Sequence, residues 1–176
     1  LDVTKYHVKE AINSQLEFFH LGAMDWLPNI EGLNWFISNS WNKAPIKSNL
    51  TIAGKDMPDS FFDMQNKSIK VSGFVPDAIE FMQKRDVMVV PLLSGSGIRV
   101  KIIEAMALGK CIISTSVGAE GINCTHKKNI WIANTEQEFI DAIEHLINHP
   151  ELCNEIGKES RKLIEKEHDI WIQFSK

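Results

Sequence analysis

Val87-Met-Val-Val-Pro-Leu-Leu-Ser-Gly-Ser-Gly-Ile-Arg-Val-Lys-Ile-Ile-Glu-Ala-Met-Ala-Leu-Gly109 is the stretch that decides the architecture. Its first part, Val87 to Pro91, is apolar without alternation, as in a strand buried on both faces. A Ser/Gly loop follows (Ser94, Gly95, Ser96, Gly97), and a helix is expected from about Val100 to Leu108, closed by Gly109 as the glycine after its C-cap. Strand, short loop and helix in that order form the repeating unit of a parallel sheet covered by helices.

The same unit recurs outward in both directions. Strands are expected at Leu16 to Leu21 (stopped by Gly22), Asn49 to Ala53 (running into Gly54), Ile69 to Val71, Cys111 to Thr115 and Asn129 to Ala133. Helical spacing marks Asn29 to Trp41, and Asp59 and Ser60 are expected to cap a short helix carrying Phe61, Phe62 and Met64. Another helix starts at Pro76–Asp77 and ends near Lys84. Thr135 reads as an N-cap with Glu138 at the capping-box position; the helix behind it buries Phe139, Ile140, Ile143, Leu146 and Ile147 and stops before Pro150. A last helix runs from about Glu151 to Glu167. The expected fold is therefore α/β: three-layer, Rossmann-like and doubly wound, about six parallel strands with helices on both faces and right-handed crossovers. Residues 16–168 form the domain, 1–15 read as an incoming linker and 169–176 as a C-terminal tail.

The 176 residues suit one domain, and 44% hydrophobic with 24% charged residues is ordinary globular composition, which excludes disordered, collagenous and coiled-coil chains. A net charge of −4 argues against nucleic acid or an anionic membrane as a bulk partner. Cys111, Cys124 and Cys153 form neither a disulfide framework nor a zinc pattern, so a reduced, cytoplasmic setting is expected. The longest apolar run, Val87 to Leu93, contains Pro91 and is too short to span a bilayer. No signal peptide is read ahead of the first strand, and the Asn-x-Ser/Thr triplets at Asn49, Asn66 and Asn123 carry no information in a cytoplasmic chain.

Ligands of such sheets bind at the carboxyl ends of the strands, which directs attention to the loops after Leu21, Ala53, Val71, Pro91 and Thr115. After Pro91, Gly95 and Gly97 allow positive φ and close backbone approach. The helix start behind them is an anion site, and Arg99 and Lys101 add two cations. A diphosphate uses all of these, with Glu104 one turn further in to accept two ribose hydroxyls. A solvated surface loop before an amphipathic helix fits the same spacing, and from spacing alone both readings stand. Gly73, Phe74 and Val75 follow a strand and offer backbone for a base edge, or form an ordinary strand–helix turn. Thr115 to Gly121 would form the opposite wall.

Other constellations fail. Gly95-x-Gly97-x-x-Val100 lacks the third glycine of a dinucleotide fingerprint and follows the fourth strand rather than the first. No Gly-Lys pair is followed by Ser or Thr. His145 and His149 lack a zincin glutamate, and Pro150 ends their helix. No Asp-x-Asp pair exists to clamp a metal-bound diphosphate, so no metal and no cofactor is expected.

These residues resemble the C-terminal, donor-binding half of glycosyltransferase family 4 (group 1), enzymes of the GT-B type. The carrying motifs are Leu21-Gly-Ala-Met-Asp-Trp-Leu-Pro-Asn29, Ile52-Ala-Gly54, Val71-Ser-Gly-Phe-Val-Pro-Asp77, Gly97-Ile-Arg-Val-Lys-Ile-Ile-Glu-Ala-Met-Ala-Leu-Gly109 and Ser114-Thr-Ser-Val-Gly-Ala-Glu-Gly-Ile122. The resemblance implies a nucleotide-diphosphate sugar as substrate and metal-independent, retaining transfer of a hexose-type sugar to an acceptor hydroxyl, in polysaccharide or glycoconjugate synthesis. The family's two donor-binding glutamates fall on Ser96, the position that contacts the sugar ring, and on Glu104, the position that contacts the ribose. Ser96 thus departs from the pattern, and the cations the family often carries after its first strand are missing from Gly22 to Asn29. Arg99 and Lys101 are expected to neutralise the leaving diphosphate instead. The resemblance further implies an N-terminal acceptor domain as partner, with Trp171 and Phe174 facing it, so that this chain binds the donor but does not turn it over by itself. A longer enzyme would be cytoplasmic, with peripheral membrane attachment left open. A nucleotide-sugar epimerase half, and a non-catalytic nucleotide-binding or regulatory α/β module, are the alternatives.

Overall fold

A computed structural model describes residues 1–9, 12–45 and 48–168. Trp171, Phe174 and the expected tail at 169–176 lie outside the described residues. Six strands, β1 (Glu17–Leu21), β2 (Asn49–Ala53), β3 (Ile69–Gly73), β4 (Val87–Val90), β5 (Cys111–Ser114) and β6 (Trp131–Ile132), form one sheet in the order β3-β2-β1-β4-β5-β6. All pairings are parallel. This is the doubly wound order, in which the chain reverses direction across the sheet between β1 and β4.

The helices are α1 (Leu27–Phe36), α2 (Asp59–Phe62), α3 (Ala78–Gln83), α4 (Val100–Ala107), α5 (Glu136–Asn148) and α6 (Glu151–Glu167). Period-two alternation sends Phe18, Leu50, Ile52, Val87, Val89, Cys111 and Ile113 to one face, under α1, α2, α5 and the start of α6. Phe19, Leu21, Met88, Val90 and Ile112 point to the other, under α3, α4 and the end of α6. Each such side chain, fully buried, contributes about 1.5–3 kcal/mol.

Local chemistry explains three of the helix ends. The Thr135 hydroxyl accepts from Glu138 N–H at 3.2 Å, while the Glu138 carboxylate accepts from Asn134 N–H at 2.6 Å, one residue earlier than a standard capping box. Asp77 caps α3 by accepting from Glu80 N–H at 2.9 Å. At Gly109 (φ +69°), Lys110 N–H reaches the Ala105 carbonyl and Gly109 N–H the Met106 carbonyl, the paired bonds of a Schellman end.

Three local expectations are corrected. The helix read as 29–41 starts at Leu27, with Pro28 in its first turn, and its last turn, Ile37–Trp41, widens to π geometry. There Trp41 packs on Phe18 and Phe36, Phe36 packs on Phe139, and Ser40 donates to the Glu136 carbonyl. Pro58, not Asp59 or Ser60, precedes α2, and no side chain caps it; Asp59 lies in the first turn, where its charge suits the helix dipole. β6 is shorter than the expected 129–133.

The segment read as an incoming linker is docked. Val3 is 2% exposed in a 3₁₀ turn (Val3–Lys5). Arg161 on α6 donates to the carbonyls of Val3 (3.2 Å) and Tyr6 (2.6 Å) and to that of Ala107, and Gln83 donates to His7 O.

Candidate functional site

Hydrogen bonding between β1 and β4 begins at Phe18–Val87 and stops after Phe19–Met88, so the sheet splits at the reversal point. The imidazole of His20 spans the split: its Nδ1 lies 2.9 Å from the Val89 carbonyl, which fixes Nδ1 as the protonated nitrogen. Nε2 is buried and has no hydrogen-bond partner among the described residues. Burial drives the His20 pKa down to about 4, so the ring is neutral near pH 7.

Two adjoining cavities lie over the carboxyl ends of the strands. One, about 300 Å³, is bordered by His20, Gly22, Trp26, Asn29, Arg99 and Lys101 among others. The second, about 430 Å³ and largely apolar, is bordered by Gly22, Gly54, Lys55, Phe74, Val75 and Lys101 among others. They share Leu21, Gly22, Ala23 and Lys101, and together they make one groove across β1–β4. Its floor is backbone: Gly22 N–H donates to Ala53 O, Met24 N–H to Lys55 O and Gly54 N–H to Gly73 O. A side chain on Gly54 would sit 1.7 Å from the Gly22 carbonyl oxygen, so the close stacking of these loops requires glycine there.

The groove gathers several of the expected residues. Lys101 lies at the junction of the two cavities, with Nζ 2.7 Å from Glu104 Oε2. Glu104 Oε1 accepts from the Tyr6 hydroxyl at 3.3 Å. Burial and the neighbouring Glu104 charge raise the Tyr6 pKa, so the phenol stays protonated as the donor. Phe74 is 72% exposed at the rim, Val75 lines the apolar end, and the Gly73 carbonyl is occupied by Gly54 N–H.

The glycine loop is shaped from within. Gly95 and Gly97 have φ of +118° and +87°. Arg99, read as a cation facing a ligand, instead folds back: Nη1 donates to the Ser96 and Gly97 carbonyls, and the guanidinium lies 5.2 Å from the centre of the Trp26 ring. Its Nε and Nη2 remain buried without partners at the cavity wall. As N-cap of α4, Arg99 offers no side-chain acceptor, which leaves first-turn N–H groups uncapped. The loop after β5 backs the glycine loop: Thr115 Oγ1 donates to Leu92 O and accepts from Gly118 N–H, and Gly121 lies against Ile98.

The His145 and His149 rings lie beside one another, with centres 4.8 Å apart and planes tilted by 41°. Among the described residues no group of three or more His, Cys, Asp or Glu could hold a metal ion.

The groove also contains residues that sequence reasoning did not single out. His20 reads as one more residue of a buried strand. Trp26 and Asn29 sit inside the first resembling motif without an assigned role, and Lys55 follows Gly54 in a loop marked only by position. Tyr6 borders neither cavity and reaches the site through Glu104; it has no local signal, since its partner is 98 residues away.

Comparison with known proteins identifies the family and the fold. The family described as "Glycosyl transferases group 1" matches residues 15–149. An uncharacterized 44.6 kDa protein in the cps region of Klebsiella pneumoniae is 27% identical over 164 residues; the match takes in 84% of this chain and 41% of that protein, so the chain spans well under half of this relative. The C-terminal domain of a glycosyl transferase group 1 family protein (LpcC) from Francisella tularensis superposes with a TM-score of 0.75 at 18% identity, covering 97% of this chain and 99% of that one. HepE of Anabaena, solved in complex with UDP-glucose, gives 0.79 at 15% identity over 99% of this chain and 54% of its own. The chain belongs to the glycosyl transferases group 1 family and has the fold of the C-terminal half of its GT-B members.

Proposed function

We propose that the chain binds the nucleotide-diphosphate-sugar donor of a longer glycosyltransferase, in the groove over the β1–β4 split. The observation that carries this reading is the line of chemistry along that groove: an apolar end at Phe74 and Val75, a lysine at the junction, a carboxylate behind it and an uncapped helix start beyond. The apolar end suits a base, with Gly73–Val75 backbone beside it. Glu104 suits the ribose hydroxyls. Lys101, the first turn of α4 and the Gly95–Ser96–Gly97 backbone suit the diphosphate. Arg99 shapes that loop through the Ser96 and Gly97 carbonyls, and its charge beside the loop adds to the neutralisation of the diphosphate. The binding of UDP-glucose by the similarly folded HepE is consistent with this class of ligand.

In the transfer, the bond from the anomeric carbon to the phosphate oxygen breaks and a bond to an acceptor oxygen forms, leaving negative charge on the diphosphate. Fixed positive charge there stabilises the transition state more than the ground state. We further propose that the sugar is a hexose, that its configuration is retained, that the groups neutralising the diphosphate are these cations and not a metal, and that the acceptor belongs to a polysaccharide or glycoconjugate held by an N-terminal domain.

Lys101 is paired with Glu104, so binding exchanges a half-exposed ion pair worth about 0–1 kcal/mol for a charge-assisted contact to phosphate. Calorimetric titration with UDP, GDP, ADP and NAD tests this. One nucleoside diphosphate is expected to bind, and Lys101→Ala is expected to weaken it roughly 10- to 100-fold with little change in Tm. Binding of NAD alone, or unchanged affinity in Lys101→Ala, overturns the reading.

A further inference from the structure

We infer that Tyr6 is a positioning residue for the ribose-binding carboxylate, an inference that rests on the proposed role of Glu104. Two donors hold the Glu104 carboxylate: Tyr6 Oη at 3.3 Å from Oε1 and Lys101 Nζ at 2.7 Å from Oε2. The two donors differ in what a diphosphate does to them. Lys101 borders the groove and is the cation a diphosphate recruits, so on binding it turns from Glu104 toward phosphate. Tyr6 carries no charge for a phosphate to attract, and among the described residues its hydroxyl has only Glu104 as hydrogen-bond partner. It is therefore the donor that keeps the carboxylate oriented once Lys101 has left.

The arrangement has the capacity this requires. A carboxylate offers about four lone-pair positions, so one phenolic O–H leaves room for two ribose hydroxyls. Holding a flexible glutamate in one rotamer before the ligand arrives removes an ordering cost from binding. Tyr6 is itself held from several sides. Arg161 donates to the Tyr6 and Val3 carbonyls and ties both to the Ala107 carbonyl of α4, the helix that carries Glu104. Glu165 fixes the Arg161 Nε at 2.6 Å, and Gln83 of α3 donates to His7 O. With Val3 buried and the Val3, Tyr6 and His7 carbonyls anchored, the phenol is mounted on α6, and Arg161 joins it to the helix whose side chain it orients.

The test measures affinity for ribonucleoside and 2′,3′-dideoxyribonucleoside diphosphates, using UDP with dideoxy-UDP and GDP with dideoxy-GDP, in the wild type, Tyr6→Phe and Glu104→Gln. Tyr6→Phe keeps the ring and removes one hydroxyl. It is expected to weaken the ribonucleotide roughly three- to tenfold, leave the dideoxynucleotide unchanged and leave Tm unchanged. Glu104→Gln is expected to remove most of the wild-type preference for ribose. If Glu104→Gln removes that preference while Tyr6→Phe does not alter it, the inference about Tyr6 fails and the reading of Glu104 stands. If Tyr6→Phe weakens both nucleotides equally, Tyr6 supports the fold only, and the inference fails. If Glu104→Gln keeps the preference, Glu104 does not contact ribose and both statements fall together.

Discussion

His20 shows how one side chain fixes a feature that the backbone alone does not. Where the ladder between β1 and β4 ends, its Nδ1–H takes the Val89 carbonyl, so the strands part without leaving that acceptor buried and empty. The folded protein holds this imidazole at a pKa of about 4, below the ordinary 6.5. The unfolded chain therefore binds the proton first, and folding stability falls as pH drops from about 6.5 to 4, by on the order of 3 kcal/mol in total. His20→Gln keeps a donor for Val89 and does not titrate. Urea denaturation at pH 7 and pH 4 is expected to show the wild type losing about that much more stability than the variant; equal losses contradict the assignment of a buried neutral ring. The sequence placed His20 only within the expected strand Leu16 to Leu21, because the split it bridges exists only in the assembled sheet. Arg99 teaches the converse. Its position beside the glycines was legible, but its direction was not, because the carbonyls of Ser96 and Gly97 and the face of Trp26 compete for the guanidinium.

Elements with self-contained signals were legible to their ends. α6 begins and stops at the residues expected, and β2 spans the expected Asn49–Ala53. The Thr135 cap and the Gly109 stop are local hydrogen-bond patterns written in a few adjacent residues. The π turn ending α1 was not legible, since contacts with Phe18 and Phe139 across the core decide it. Gly32 makes the role of close approach testable. A side chain there would lie 2.3 Å from the Pro91 carbonyl oxygen, where α1 crosses the chain leaving β4 toward the glycine loop. Helix propensity alone predicts that Gly32→Ala stabilises by about 1 kcal/mol. The contact is to backbone and cannot rotate away, so a net loss of about 1–3 kcal/mol is expected instead, read from the denaturant midpoint. A gain in stability shows that α1 is not pressed against that loop.

At the scale of the molecule, the alternation of strand-like and helix-like runs was enough to give a parallel sheet covered on both faces, because buried parallel strands read as continuous apolar runs. The strand order and the depth of the β1–β4 split are long-range facts, and with them came the parts of the groove missed in the sequence: Trp26, Asn29 and Lys55, while Tyr6 of the docked N-terminal strap reaches the site through Glu104. Lys101, Phe74 and Val75 could be placed at the groove because the helix start behind the glycine loop and one strand–helix turn carry them, and Glu104 stands behind Lys101 on α4. A polar cavity of about 400 Å³ lies at the other end of the sheet among Glu17, Asn49, Lys67, Lys70 and Arg85, a competing place for an anionic ligand to collect. The donor is assigned to the groove. The most direct measurement is an NMR titration of the chain with UDP, GDP and ADP, following backbone amide shifts. Shifts concentrated at residues 22–26, 54–55, 73–75 and 95–104 with one nucleotide are the predicted result. Shifts centred on residues 65–70 and 85, or none with any of the three, would contradict the assignment of this groove as the donor site.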